Sequence, residues 1–363
     1  MARKSCTSSP DLFTSFLAAP PKSEVLEQLA GLVDWEGLRG VLEGVYKLGG
    51  VGREPVDPVM LFKLLLLERL YNLSDGDAVW MARDSLSFRS FLGLGAGDRV
   101  PDDTTLVVFR RRLREAGLFD ELFARVTVDL ERRGIGVRPG CIKIVDATLV
   151  KAAVRPPRRG SGGGGGGGGH RKEDAPADGG QAVEAASQPD EAAAGPAPCG
   201  AAGALDPDAD FTAKNGVPHY GFKLHLALDR ETGLITAHVL TPASVHDSQV
   251  FADLVDGTEG EVLADKGYDS AAARALVRAS GARPSIMRRA KPGQPLSRWW
   301  RTRNRSIGRV RGFIEGTNAA LKRWYGCGRA LYRGIERVMN QMTMGILAHN
   351  LTRAVALQRG RCA

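Results

Sequence analysis

The spacing of apolar residues predicts helices throughout the first 135 residues. Apolar positions there recur every three or four residues, which is the period of one face of an amphipathic helix. Asp57 with Pro58 is typical of a helix start, and Ser74 followed by Asp77 resembles a capping box. The predicted helices cover residues 23–33, 57–70, a segment from 74, 83–92, 102–117 and 118–133. We therefore predict an all-helical N-terminal domain, residues 1–135.

After residue 141 the apolar pattern changes to short runs that are typical of strands, interspersed with helical patterns. The predicted strands cover residues 141–150, 219–229, 234–240, 261–264 and 284–287. The predicted helices begin at 245 and 269 and cover 306–324 and 334–358. This order of elements predicts a second domain of the α/β class with a mixed sheet, residues 136–358.

A low-complexity segment interrupts the second domain. Eight consecutive glycines at 162–169 are followed by a stretch rich in Ala, Pro and acidic residues, with nine acids and no Lys or Arg from 173 to 210. Such a composition buries too little apolar surface to order the chain. We predict a disordered Gly/Ala/acidic insertion over 155–213, and we expect deletion of residues 160–210 to leave folding and metal binding intact.

The distribution of charge indicates a polyanionic partner. The 363 residues carry a net charge of +9, but residues 270–363 contain 20 Lys and Arg against two acids, a net charge of +18. Such a surface favours nucleic acid, although Arg-rich codon usage is the alternative explanation. Aromatic residues lie between these arginines and are able to stack on unpaired bases, unless they belong to the core: Trp299, Trp300, Trp324, Tyr325 and Tyr332.

The sequence contains no sign of export or of membrane insertion. The five cysteines are scattered and form no Cys-x-x-Cys pair, so neither a disulfide framework nor a zinc site is predicted. No apolar run is long enough to cross a bilayer, and the first residues do not resemble a signal peptide. We expect a cytoplasmic, nucleoid-associated bacterial protein without a membrane partner.

Three acidic residues are candidates for one shared site. Asp146 lies within an apolar strand pattern, where an ionised carboxylate is costly unless it is paired or metal-bound, and Asp265 lies at the end of another strand. Arg311, Glu315 and Lys322 fall on one stripe of the predicted helix 306–324. If the first and fourth predicted strands are neighbours, the three carboxylates can meet, and they suit Mg²⁺ or Mn²⁺. Two such ions can activate the nucleophile and stabilise the leaving oxygen at a phosphodiester. The alternatives are surface ion pairing on the helix and a surface position for Asp146.

The motifs around these residues resemble those of the DDE insertion-sequence transposases, most closely the insertion-sequence-five (InsH-like) group. VDAT around Asp146 is similar to the first-Asp motif of that family, and LADKGYDS around Asp265 is similar to its second-Asp motif. The glutamate signature of the family is Tyr, two residues, Arg, three residues, Glu, six residues, Lys. This chain matches its Arg, Glu and Lys, whereas Gly308 stands at the position of the tyrosine.

The resemblance covers residues 56–113, 142–151 and 218–351. It implies a ribonuclease-H-like catalytic domain that cleaves and transfers DNA strands at transposon ends. The implied catalytic and metal-binding residues are Asp146, Asp265 and Glu315, with Mg²⁺ or Mn²⁺ as the cofactor. The implied partners are double-stranded DNA, both transposon ends and target, and further copies of the chain in the DNA complex. We expect DNA contacts from Arg311, Lys322, Lys266, Arg309 and Arg323.

Several further residues and functions stay open at this point. His246-Asp247 is expected to cap a helix, with a role in the site as the alternative, and Lys223 is a candidate for a phosphate contact. Lys266 and Tyr268 are expected to support the second aspartate. The alternative functions are a stand-alone metal-dependent nuclease and a catalytically silent DNA-binding derivative of a mobile element.

Overall fold

The computed structural model describes residues 24–46, 55–95, 97–154, 205–214 and 216–362. Between residues 24 and 132 the described chain is helical, apart from the connections. The helices are α1 (Glu24–Leu32), α2 (Arg39–Glu43), α3 (Pro58–Leu70), α4 (Asp75–Asp84), α5 (Leu86–Leu92), α6 (Asp103–Glu115) and α7 (Leu118–Arg132). Asp57, Ser74 and Asp102 each accept a hydrogen bond from a backbone N–H group in the helical turn that follows. These caps explain why the starts of α3, α4 and α6 were predictable from local sequence.

Among the described residues, six strands form one mixed sheet in the second half of the chain. They are β1 (Cys141–Lys151), β2 (Asp210–Lys214), β3 (Val217–Asp229), β4 (Ile235–Pro242), β5 (Glu259–Ala264) and β6 (Arg283–Ile286). Strand β3 is antiparallel to β1, β2 and β4, whereas β1, β5 and β6 run parallel to one another. The first and fourth strands predicted from the sequence, β1 and β5, are therefore neighbours, as the shared site requires.

Three helices accompany the sheet, and apolar side chains cover both of its faces. The helices are α8 (Ala271–Ala279), α9 (Arg298–Trp324) and α10 (Ile335–Cys362). Ile144, on one face of β1, belongs to a large apolar cluster that includes Leu64 of α3 and Leu351 of α10. Val145, on the opposite face, belongs to a smaller cluster with Val277 of α8. The larger cluster extends across the predicted domain boundary, and the division into two domains stays a prediction.

The end of the predicted insertion is ordered. Residues 210–213, which lie within the range predicted to be disordered, belong to β2, because they pair with β3 and Phe211 packs against Tyr220. Asp206 and Asp208 accept hydrogen bonds from the backbone N–H groups at the start of α10. The prediction of disorder as far as 213 was therefore wrong. The effect of deleting residues 160–210 stays a prediction, and that deletion would remove the carboxylates of Asp206 and Asp208 from the start of α10. Residues 155–204 lie outside the described residues.

Two helices also differ from their predicted forms. The segment from 245, predicted as a helix, forms two short 3₁₀ turns, Asp247–Gln249 and Ala252–Leu254. Helix α9 begins at Arg298 rather than at 306, with Ser297 accepting a hydrogen bond from a backbone N–H group in its first turn. The additional turns of α9 are rich in arginine and carry no long apolar stripe, so the periodicity did not reveal them.

Candidate active site

Two aspartates lie side by side where the parallel strands β1 and β5 meet. Val145 of β1 is paired with Ala264, the last residue of β5. The next residues along the two strands, Asp146 and Asp265, are therefore adjacent. Asp146 is followed by further strand, whereas Asp265 begins a 3₁₀ turn, Lys266–Tyr268. The register of the sheet thus places the two carboxylates next to each other.

Helix α9 places one guanidinium group between these carboxylates. Arg311 Nη2 donates a hydrogen bond to Asp146 Oδ1 at 2.8 Å, and Arg311 Nη1 lies 3.4 Å from Asp265 Oδ1. The exposed fraction is 11% for the side chain of Arg311 and 19% for that of Asp146, whereas it is 37% for Asp265. Asp265 therefore keeps a side that is open to a ligand.

Asn318 also contacts Asp146, and it was absent from the prediction. Its Nδ2 atom donates a hydrogen bond to Asp146 Oδ2 at 3.4 Å. Asn318 lies about two helical turns after Arg311, so it falls on the same stripe of α9 as Glu315 and Lys322. This spacing was the available sequence signal, and it was overlooked because only charged residues were considered.

The two carboxylates carry more negative charge than Arg311 offsets. Burial raises the pKa of Asp146, and the nearby guanidinium of Arg311 opposes this rise without cancelling it. The charge of Asp265 raises the pKa of Asp146 further, and the charge of Lys214 at the end of β2 lowers it. Additional positive charge at this position is therefore favourable.

Some buried polar atoms of the site lack a hydrogen-bond partner. They are Arg311 Nε, Asn318 Oδ1 and the hydroxyl of Tyr268. Burial, followed by the charges of Asp247 and Asp146, raises the pKa of Tyr268, so this hydroxyl stays protonated. Buried polar atoms in proteins are almost always paired, so these atoms provide unused hydrogen-bonding capacity beside the aspartates.

Glu315 lies near the aspartates without joining them. It follows Arg311 by about one turn on the stripe of α9 that faces Asp146, and its side chain is exposed. Within the described ranges, no three or more His, Cys, Asp and Glu side chains are grouped closely enough to hold a metal ion. The structure thus brings together two of the three predicted metal ligands, Asp146 and Asp265, and leaves the third on the adjacent helix.

The predicted DNA-contacting residues divide into two groups. Lys322 lies on the stripe of α9 that contains Arg311, and Lys266 is exposed in the turn that begins at Asp265. Arg309 and Arg323 are also exposed, but their positions on the helix place them away from that stripe. Arg323 lies over the ring of Trp324, at 4.8 Å from its centroid.

Lys223 and the His246-Asp247 pair stabilise the loop beside the second aspartate. Lys223 Nζ donates a hydrogen bond to Asp247 Oδ1 at 3.1 Å and another to the carbonyl of Val245 at 2.8 Å. His246 Nδ1 accepts a hydrogen bond from a backbone N–H group, as expected for a cap, although the cap belongs to a 3₁₀ turn. A Cβ atom at Gly267, within the turn after Asp265, would lie 3.2 Å from Asp247 Oδ2. Lys223 is thus engaged within the protein.

Gly308, the departure from the glutamate signature, lies in open space. A Cβ atom at this position would meet no atom within 4 Å. The fold therefore does not exclude a tyrosine here, and the departure affects contacts with a ligand rather than packing.

Comparison with known families identifies the chain. A family model described as "Transposase DDE domain" matches residues 138–351, more than half of the chain and all of the site. The chain belongs to this family of DDE transposases. A second model, described as "Transposase domain (DUF772)", matches residues 15–112. The two matches confirm the prediction of a transposase, although no solved structure matches the chain.

Membership of the family defines the general activity. A DDE transposase is an enzyme that acts on DNA, so Asp146, Asp265 and the basic side chains around them lie in the domain that carries the activity. None of the helices within the described residues is long and apolar enough to span a membrane.

Proposed function

We propose that this transposase cleaves DNA at the ends of an insertion sequence and transfers the strands to a target, with Asp146, Asp265 and Glu315 as ligands of Mg²⁺ or Mn²⁺. The observation that carries this proposal is the shared contact of two carboxylates, from neighbouring parallel strands, with the single guanidinium of Arg311. Since a cationic group already lies between the two carboxylates, the same position is suited to a metal ion.

The strand order supports a ribonuclease-H-like fold for the catalytic domain. Neighbouring strands follow the order β4-β3-β1-β5-β6. Strand β3 is antiparallel to both of its neighbours, β4 and β1, whereas β5 and β6 are parallel to β1. In this arrangement the first aspartate lies on the central strand and the second at the end of its parallel neighbour. The N-terminal helices, α1–α7, are then the part that we expect to assist DNA binding or dimerisation.

The chemistry of the donor set fits a divalent cation. Asp146 and Asp265 supply hard carboxylate oxygens, which Mg²⁺ and Mn²⁺ prefer, and no cysteine is part of the site. Glu315 would complete the set from the adjacent helix. The bound ions would activate the attacking oxygen and stabilise the leaving oxygen at a phosphodiester.

We expect the remaining side chains of the site to bind phosphate groups of the DNA or to orient the carboxylates. We expect Arg311 and Lys322 to bind non-bridging phosphate oxygens, and Lys266 provides a further charge next to Asp265. Asn318 donates to Asp146 and so orients its carboxylate. We also propose membership of the insertion-sequence-five group, association with the nucleoid and a homo-oligomer in the DNA complex, since joining two ends usually requires two subunits.

The test is cleavage of a duplex that carries the terminal inverted repeat found in the DNA flanking the gene. We expect wild-type protein with Mg²⁺ or Mn²⁺ to nick the 3′ end of the element and to join that end to a target. Asp265→Asn and Glu315→Gln should each lower the rate at least about 100-fold, as expected on loss of a metal ligand. The matched control is Glu336→Gln, which changes the other acid beyond residue 270, an exposed residue in the first turn of α10.

Each outcome distinguishes between functions. Full activity of either site variant contradicts the assignment of the metal ligands. Nicking without joining favours the stand-alone nuclease, and specific binding of the repeat without nicking favours the silent DNA-binding derivative.

A further inference from the structure

Three lysines lie near the end of β1 that follows Asp146, and within the described residues none of them forms an ion pair with a carboxylate. Lys151 ends β1, Lys214 ends β2, and Lys322 lies in the last turn of α9. In the described part of the chain, the lysines that form ion pairs are Lys143 and Lys223. Lys151, Lys214 and Lys322 are not among them, so none of these three lysines is held in an ion pair with a described residue.

The loop after α9 holds Lys151 next to Lys322. The backbone N–H group of Lys151 donates a hydrogen bond to the carbonyl of Gly328 at 3.1 Å, and its carbonyl accepts one from Ala330 at 2.7 Å. A Cβ atom at Gly328 would lie 3.4 Å from Lys322 Cβ, so the glycine packs against the stem of that lysine. One short loop thus contacts both residues.

The hairpin formed by β2 and β3 extends from the end of β1 that carries Lys151, since β3 pairs with both of these strands there. Lys214 is paired with Val217 at the end of this hairpin, and it is exposed. Its charge lowers the pKa of Asp146, as described above. Partial burial lowers the pKa of Lys322, and the charges of Lys214 and Lys151 lower it further. The ammonium groups of Lys214 and Lys151 therefore each repel that of Lys322, and a polyanion that bound them would relieve this repulsion.

We propose that Lys151, Lys214 and Lys322 bind successive phosphates of a DNA strand next to the scissile position. This inference rests on the proposed function, and it deepens it by defining the path of the DNA away from the aspartates. The family signature already implies a role for Lys322, whereas the placement of Lys151 and Lys214 comes from the sheet and the loop. Because the contacts are to phosphates, they contribute affinity without sequence preference.

The salt dependence of DNA binding tests this site without requiring cleavage. The probe is a duplex of about 30 base pairs of arbitrary sequence, without divalent metal. The slope of log K against log salt is negative, and each lost phosphate contact reduces its magnitude by about 0.9. The double variant Lys151→Gln/Lys214→Gln should therefore reduce the magnitude of the slope by about 1.8. Arg132→Gln/Arg278→Gln, which removes two exposed charges from other helices, should leave the slope unchanged. Lys151→Arg/Lys214→Arg should retain the wild-type slope.

The outcomes separate this inference from the proposed function. An unchanged slope in Lys151→Gln/Lys214→Gln, with wild-type protein binding the duplex, overturns the lysine site and leaves the transposase proposal intact. Failure of the wild-type protein to bind DNA contradicts both. Thermal unfolding of the Gln variant at the wild-type temperature shows that a lower slope does not result from misfolding.

Discussion

Arg110 and Arg311 each lie between two carboxylates, and the two clusters differ in how completely their charges are offset. In the helical part, Arg110 of α6 forms ion pairs with Glu68 of α3 and Asp75 of α4. At the sheet, Arg311 forms ion pairs with Asp146 and Asp265. The chemical groups are alike, so the difference between the two clusters lies in their surroundings.

The helical cluster has a second cation. Arg69 also pairs with Glu68, and the side chains of both residues are nearly inaccessible. Burial acts to raise the pKa of Asp75, but the hydrogen bond and the charge of Arg110 outweigh it, so the pKa is lowered. This cluster therefore stabilises the carboxylate of Asp75 in the charged form, as a structural ion-pair network does.

The sheet cluster has one cation for two carboxylates. The pKa of Asp146 is raised by burial in spite of Arg311, and Asp265 is partly open to solvent. The comparison shows that an Arg–carboxylate cluster alone does not define a functional site. What distinguishes the sheet cluster from a structural network is a carboxylate pair whose charge is only partly offset and of which one member, Asp265, is accessible.

The largest expected difference is in stability. Arg110→Met leaves buried carboxylates without sufficient compensation and should lower the free energy of unfolding by about 3–5 kcal/mol. Arg311→Met should lower it by less, because Asp265 is accessible to water and Asn318 still donates a hydrogen bond to Asp146. Denaturant unfolding measures both values. Equal losses in the two variants would remove the distinction between the clusters.

The free energy of unfolding should also depend on pH, because His238, which lies outside both clusters, has a lowered pKa. Burial lowers the pKa of His238 to about 4, and its Nε2 lies 2.8 Å from Thr343 Oγ1 in the packing between β4 and α10. Because the unfolded state has the higher pKa, near 6.5, stability should be complete above that pH. It should fall by about 3 kcal/mol as the pH decreases to about 4.

The variant His238→Gln checks this assignment, since it keeps a hydrogen-bonding side chain without a proton to gain. Its free energy of unfolding should change less steeply between pH 6.5 and 4 than that of the wild type. Parallel curves would show that His238 does not contribute. His225, whose pKa burial also lowers to about 4, should keep some of the pH dependence in the variant.

The smallest of these effects tests the sheet cluster directly. Mg²⁺ at about 100 times its dissociation constant should raise the free energy of unfolding by about 2.7 kcal/mol, because only the folded protein holds the ligands together. Asp265→Asn should lose this stabilisation. Asp75→Asn makes the same change in the helical cluster and should retain it. Thermal unfolding with and without the ion measures both, and retention in Asp265→Asn would contradict a metal site at Asp265.

Much of the site was visible in local sequence. Asp146 within an apolar strand, Asp265 at a strand end, and the spacing of Arg311, Glu315 and Lys322 depend on periodicities of two and 3.6 residues. Helix starts such as Asp57 were visible for the same reason, since a cap and its partner are a few residues apart. The motif resemblance then led to the correct family.

The tertiary structure decided which of these residues meet. The sequence by itself determined the acidic residues and the stripe on α9, because both follow from the local geometry of one strand or one helix. Only the parallel pairing of β1 with β5 placed Arg311 between the two aspartates and Asn318 on Asp146. Strand β2 pairs with β3 in a local hairpin, and the position of that hairpin follows from the pairing of β3 with β1, which lies far away in the sequence.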